Sequence, residues 1–574
     1  MVVNLKNSTV SKIMLLLLLS GLMVFAFEFN VKPAKAWTGT VYIRADGSID
    51  PPDAPIITYD NITYTLSGNI TSYGDGIVVE RDNIIIDGAG YVLQGNMTGM
   101  GVDFSYRSNV TVKNIQIRNF NTGICIRYSS GITISNNNVI ANSEYGIWLG
   151  GDEHKFSSNN TIIGNNITNN QWGGIRLYWS SSINVSGNTV ANSNGSCIWL
   201  KYSSNIHISG NAITNNENGI EISQCSNNSV NGNSIRANSG YGIRVYSSSN
   251  NTITGNSIMY NEEGIYLERS LYNEFYNNTI TDNGDGIWLS GTENILYNNT
   301  LANNGCGILL SQATDNIIYR NLIANNAEGI NISPQSFNNS MYDNCIRDND
   351  YGIEVWYSSN NEIFHNNFVN NSQQVINQSP GYINVWDNGY PSGGNYWSDY
   401  TGIDEKSGLN QDQPGSDGIC DTTYAIDANN TDRYPLMAPI SIFEAGVWNE
   451  TEYFVDVISN STVSDFNINV TEKTLSFNVT GIEGAAGFCR ITIPNIIVQD
   501  LWQGGYTVLF NGEPWPYRNW TDATNTYIYV NYTHSEHQIV IIPEFPSITT
   551  LLLMLIVISI IASVKRKVLR KFPT

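Results

Sequence analysis

Glu221, Arg244 and Glu268 recur at near-equal intervals, each two or four residues after a glycine or cysteine that opens a repeated unit. Two carboxylates flanking an arginine form a residue set that can cleave glycosidic bonds. A retaining pair stands about 5.5 Å apart and an inverting pair about 6.5–9.5 Å. Stacking of the units at about 4.8 Å sets Glu221 and Glu268 roughly 9–10 Å apart along the stack, at the edge of the inverting range. The simpler reading is a structural Glu-Arg-Glu ladder of opposite charges. The outward position two after each unit start holds Cys125, Trp148, Arg176, Trp199, Glu221, Arg244, Tyr266, Trp288 and Glu354. The position four after holds Arg127, Tyr178, Lys201, Tyr246, Glu268 and Trp356. Rings at this spacing suit stacking on successive sugars, and Arg, Lys and Glu suit hydroxyls and carboxylates. A substrate-binding groove is therefore expected along Trp148, Arg176, Tyr178, Trp199, Lys201, Tyr246, Tyr266 and Trp288. The competing reading is a strand face that packs on itself or under a loop.

These side chains line up only if the chain winds in equal circuits. "GIRVYSSSNNTITGNSIMYNEE" (242–263) is followed by "GIYLERSLYNEFYNNTITDNGD" (264–285), two units of 22 residues. Such starts recur at Gly76, Gly101, Gly123, Gly146, Gly174, Cys197, Gly219, Gly242, Gly264, Gly286, Gly307, Gly329 and Gly352. The interval after Gly146 is longer, and Gly101 is followed by Val. Ile243, Val245, Ile253 and Ile258 mark the apolar positions, and Ile243/Val245 alternate about Arg244 as strands do. Asn233, Asn256 and Asn278 form one turn column, and Asn238, Asn261 and Asn283 another. Asparagine suits left-handed turns, and stacked copies can share side-chain hydrogen bonds. The period excludes helical repeats, and no leucine framework is present. Three short strands per circuit predict an all-β fold, a parallel β-helix whose single coils bury nothing until stacked.

The pattern "G-I-x-[ILV]…N-x-I-x-x-N" resembles the right-handed parallel β-helix repeats of carbohydrate-binding proteins and sugar hydrolases. The resemblance implies a pectate-lyase-like solenoid of about 13 coils from Gly76 to about Gln374. It carries fold rather than activity, and the polygalacturonase-like motifs G-H-G and R-I-K are missing. "GNYWSDY" and "GSDGICDTTYAID" further resemble the closing segment of NosD-type β-helix proteins, which implies periplasmic copper handling. Beyond Pro439, short alternating runs such as "YFVDVIS", "LSFNVT" and "HQIVIIP" predict an antiparallel β-sandwich. The expected domains are a signal peptide (1–36), an N-terminal cap (37–75), the β-helix (76–385), a Gly/Asp/Trp-rich closing segment (386–440), the sandwich (441–542), and a sorting motif with a transmembrane span and basic tail (543–574).

Copper wants convergent His, Met or Cys. His154, His207 and His365 fall on distant coils, and His534 and His537 fall in the sandwich, so the residues disfavour copper. Asp417 and Asp421 in "DGICD" stand four apart across a Gly turn, a candidate calcium site without full D-x-D-x-D-G spacing. The alternative is a loop that merely closes the helix. The seven cysteines show no C-x-x-C pair. A net charge of −22 argues against nucleic acid as partner. Lys6 and Lys12 before an apolar run, then "AKA", read as an export signal. Ile548–Val564 followed by five basic residues reads as a span with the rest of the chain outside. "PEFP", span and basic tail together resemble archaeal PEF-type sorting signals. Sequons such as those at Asn109, Asn184 and Asn250 make glycosylation an expectation for an exported chain. The reading is a surface-anchored protein that binds extracellular polysaccharide or cell-surface glycan, or serves the envelope structurally. A polysaccharide lyase or hydrolase is the first alternative and a copper-handling protein the second.

Overall fold

The computed structural model describes residues 37–544, and the chain divides into two compact units, 1–262 and 263–574, which are taken in turn. The expected signal peptide and most of the tail, including the span Ile548–Val564, lie outside the described residues. Among the described residues no helix is long and apolar enough to cross a membrane.

In the first unit each circuit supplies one strand to each of three parallel sheets. The circuit Tyr241–Tyr246, Thr252–Thr254, Ser257–Met259 pairs residue for residue with Asn218–Ser223, Ser229–Asn231, Ser234–Arg236. Ile220, Ile222, Ile243 and Val245 point inward and are fully buried, as are Val230, Ile253, Ile235 and Ile258. Each such side chain stabilises the stack by about 1.5–3 kcal/mol. Residues 37–75, expected as the N-terminal cap, hold strands of the same three sheets. Val41–Ile43, Thr63–Leu66 and Ile70–Thr71 pair in parallel with the strands of the Gly76 circuit. Only Ile49–Asp50 and Ile56–Ile57 add antiparallel edges.

The glycine that opens most circuits is explained by closeness. A Cβ on Gly123 would stand 2.6 Å from the carbonyl oxygen of Gly146 and inside the Val139 side chain. The turns are closed by asparagines. Asn165, Asn188, Asn211 and Asn233 are buried, and each Nδ2 donates to the Oδ1 of the next at 2.9–3.0 Å. The residue just before a ladder asparagine often has positive φ, as Asn159 (54°) and Asn227 (57°) do.

The second unit repeats this plan. Its first sheet runs Glu263–Leu271, Asp285–Thr292, Cys306–Leu310, Glu328–Ile332, Tyr351–Val355 and Gln373–Asn377. One ladder runs Asn278, Asn299, Asn321, Asn344, Asn366 and Asn395. The closing segment plugs the last coil. The Trp397 ring stacks between Phe368 and Tyr424, 4.3 Å from each, and its Nε1 donates to Asp432 at 2.9 Å. Asn384 N–H donates to Asn430, and Arg433 pairs with Asp387 at 2.6 Å. Beyond Pro439 stand two five-stranded antiparallel sheets. Val457 and Ile491 from one, and Phe477 and Ile539 from the other, meet in a shared core beside the helix Asn495–Trp502.

Candidate functional site

The first unit builds a continuous outer face on its first sheet. Cys125, Trp148, Arg176, Trp199, Glu221 and Arg244 are successive partners in parallel register, while the flanking Ile and Leu residues point inward. The order of residue types makes the face pack on itself. The Arg127 guanidinium lies 4.4 Å from the Trp148 ring, and that of Arg176 lies 4.7 Å from Trp199 and 5.1 Å from Tyr178. Arg176 also donates to Tyr145 Oη at 3.1 Å. Lys201 Nζ sits 5.9 Å from the Trp199 ring and 5.2 Å from Tyr202. Such contacts stabilise by about 0.5–2 kcal/mol each. Trp148, Arg176 and Trp199 are half-buried as a result. Cys125, expected to face outward into a groove, is completely buried. Burial, with Asp103 nearby, pushes its thiol up to about 12.

The expected catalytic carboxylates are engaged elsewhere. Glu221 accepts from Ser196 Oγ at 2.7 Å and pairs with Arg244 at 3.4 Å. Glu268 belongs to the second unit, where it accepts from Tyr266 Oη at 3.4 Å and lies 3.7 Å from Arg269. The pair is thus divided between the units, each carboxylate held within its own. In the second unit the Tyr266 and Trp288 rings meet edge to face at 4.1 Å, and Tyr266 is buried. Glu354, also expected outward, is buried and accepts from Asn331 and Gln378, each at 3.2 Å. Tyr246 stands beside Arg244, whose guanidinium is 5.3 Å from its ring.

A cleft on this face lies in the first unit, where Arg127 and Trp148 of the repeat pattern meet residues that the pattern does not single out. It measures about 430 Å³ and is lined by Asp103, Tyr106, Arg127, Tyr128, Trp148 and Gly151 among others. One wall is made by the long interval after Gly146, which lifts 151–156 out of the coil. Gly151 is required there because the Lys155 carbonyl occupies the space of a side chain. Asp152 ties the loop together. It accepts the N–H groups of His154 and Lys155 at 2.9 Å each and the Tyr128 hydroxyl at 3.2 Å. Those two backbone donors hold its carboxyl below the usual range, and the hydrogen bond to it raises the Tyr128 phenol. The other wall is Tyr106 stacked on Tyr128 at 5.0 Å, with Lys155 Nζ 5.6 Å from the Tyr106 ring. Asp103 accepts from Ser105 N–H and Oγ at 2.9 and 2.6 Å. The extra length after Gly146 is the sequence signal that locates this cleft.

Asp417 and Asp421, the candidate calcium pair, serve backbone turns. Asp421 accepts from the N–H groups of Glu405 and Lys406, and Asp417 from that of Ile419. Asp404 accepts from Asp417 and Gly418 in the same way. Among the described residues no three His, Cys, Asp or Glu side chains gather to hold a metal.

The family model described as periplasmic copper-binding protein (NosD) matches residues 153–284 and 276–402, and the model for a right-handed β-helix region matches 56–199. No curated protein matches the chain. Similar solved structures include a mutant of the periplasmic alginate epimerase AlgG, with TM-score 0.34 and 16% identity over 52% of this chain and 78% of that one. The A-module of the Azotobacter vinelandii mannuronan C-5 epimerase AlgE6 gives 0.31 and 14%, over 55% and 89%. Pectate lyase Pel9A gives 0.26 and 14%, over 37% and 65%. The chain carries a right-handed parallel β-helix, with one family model describing that region over 56–199 and the three parallel sheets forming its coils.

Proposed function

We propose that the protein binds a carboxylated polysaccharide, without cleaving it, along the outer face of its first unit. The observation that carries this reading is the state of the cations there. Arg127, Arg176 and Lys201 are held by aromatic rings, whereas the neighbouring carboxylates Asp103, Asp152 and Glu221 already accept hydrogen bonds. Arg127 is set beside Tyr106, Tyr128 and Trp148 at the cleft. Rings stack on sugars while guanidinium groups meet carboxylates in bidentate fashion. The engagement of Glu221 by Ser196 and Arg244 disfavours a hydrolase or lyase. A copper-handling role, which the NosD match suggests, finds no group of three His, Cys, Asp or Glu side chains among the described residues. The export signal and the C-terminal span read from sequence set this binding at the cell surface, with the chain anchored at its C-terminus.

A glycan array probed with the full chain tests the reading. Polyuronates are expected to bind, and Tyr128→Ala and Trp148→Ala each to weaken binding about tenfold, matching about 1.4 kcal/mol of lost contact. Equal binding by both variants rejects the cleft. Release of reducing ends or unsaturated uronates that stops in Glu221→Gln replaces the reading with an enzyme.

A further inference from the structure

A second feature lies on the turn that joins the third strand of each circuit to the next circuit. In the first unit its buried column runs Asn142, Asn170, Ser193, Asn216 and Asn238. Asn142 Nδ2 donates to Asn170 Oδ1 at 2.8 Å, and Asn216 Nδ2 donates to Asn238 Oδ1 at 3.2 Å. Ser193 interrupts this ladder. Its N–H still donates to Asn216 Oδ1 at 3.0 Å, but a hydroxyl cannot reach as far as a carboxamide. Ser193 is 3% exposed, and its Oγ has no hydrogen-bond partner. A buried hydroxyl left unpaired is destabilising. The second unit shows the uninterrupted version, in which Asn283, Asn304, Asn326 and Asn349 link at 3.0–3.2 Å.

Space opens where the ladder breaks. A groove of about 610 Å³ is lined there by Ser193, Asn194, Asn215, Glu217, Ser239 and Tyr260. A second groove of about 290 Å³, lined in part by Gln171, shares Asn194 with it. The two form one track across successive circuits. Tyr260, 55% exposed, offers its ring at one end. The lining is mostly amides and hydroxyls, with Met97, Ala141 and Ala237 among them, one carboxylate, Glu217, and no cation. That set suits sugar hydroxyls and repels carboxylates, the opposite preference to the face carrying Arg127 and Arg176.

We infer that this track is a second glycan site, taking a neutral hexose chain with one ring stacked on Tyr260 and a hydroxyl satisfying Ser193 Oγ. The inference does not depend on the cationic face. It is tested by calorimetry on the full chain with β-1,4-linked glucohexaose and mannohexaose, and with hexagalacturonate as the acidic control. At least one neutral hexamer is expected to bind. Ser193→Asn completes the ladder, so it is expected to weaken that binding at least tenfold without lowering Tm. Tyr260→Ala, at an exposed position, is expected to weaken it comparably, and decides the matter if Ser193→Asn does lower Tm. Arg127→Ala is expected to leave it unchanged. No binding of either neutral hexamer, or binding undiminished in Tyr260→Ala, overturns the inference. Loss of hexagalacturonate binding alone, in any variant, bears only on the cationic face.

Discussion

A single ladder asparagine does three jobs. Asn299 Oδ1 accepts both the N–H and the Nδ2 of Asn278, and its own Nδ2 donates to the Phe275 carbonyl at 2.8 Å. Asn299→Ala removes the acceptor of both these Asn278 bonds and the donor to Phe275, so a loss of about 3 kcal/mol is expected in urea unfolding. A loss below about 0.5 kcal/mol would show that water or neighbouring carbonyls replace the ladder. His365 gives a pH signature at the same scale. Burial holds its imidazole down at about 4, and its Nε2 lies 3.1 Å from the Ser392 carbonyl oxygen. The unfolded imidazole titrates near about 6.5. Because the folded value is lower, the stability from the neutral ring is present above pH 6.5 and is lost as pH falls toward 4. Relative to His365→Gln, the wild type is expected to lose about 2–3 kcal/mol over that interval, at about 1.4 kcal/mol per pH unit. A difference independent of pH would contradict this assignment.

The coil is the element that explains the repeats. Gly123→Ala places a methyl against the Gly146 carbonyl oxygen and the Val139 side chain, and about 2–3 kcal/mol of destabilisation is expected in thermal unfolding. Gly187 is the contrast. Its φ of 61° and open surroundings match turn positions that carry asparagine in other coils, so Gly187→Asn is expected to change stability by less than about 0.5 kcal/mol. Equal losses at both sites would mean that the glycines serve flexibility rather than close approach. This contrast also marks what sequence alone reveals. Inward isoleucines, opening glycines and ladder asparagines are legible because each recurs once per circuit, and stacking turns recurrence into contact. Tyr106, Tyr128 and Asp152 are not legible in that way. They sit at turn ends and in the loop 151–156, where the period breaks and no neighbouring coil supplies a template. The burial of Cys125 was hidden for a related reason: an outward position is exposed only if its neighbours are small, and here Asp103, Arg127 and Trp148 close over it.

At the scale of the whole molecule, the coils make a scaffold whose surfaces differ in chemistry from one side of a circuit to another. The first-sheet face of the first unit carries cations set among rings, and the turn column beyond Ser193 carries neutral amides and hydroxyls. The second unit spends its corresponding positions on buried contacts such as Tyr266 with Trp288 and Asn331 with Glu354. Binding is therefore expected to belong to the first unit. The most direct measurement is calorimetric titration of hexagalacturonate into the full chain and into Arg127→Ala and Arg176→Ala. Saturable binding by the wild type, weakened at least tenfold in each variant and further weakened by added salt, is the predicted result. Absence of binding by the wild type, or equal affinity in all three proteins, would contradict the account.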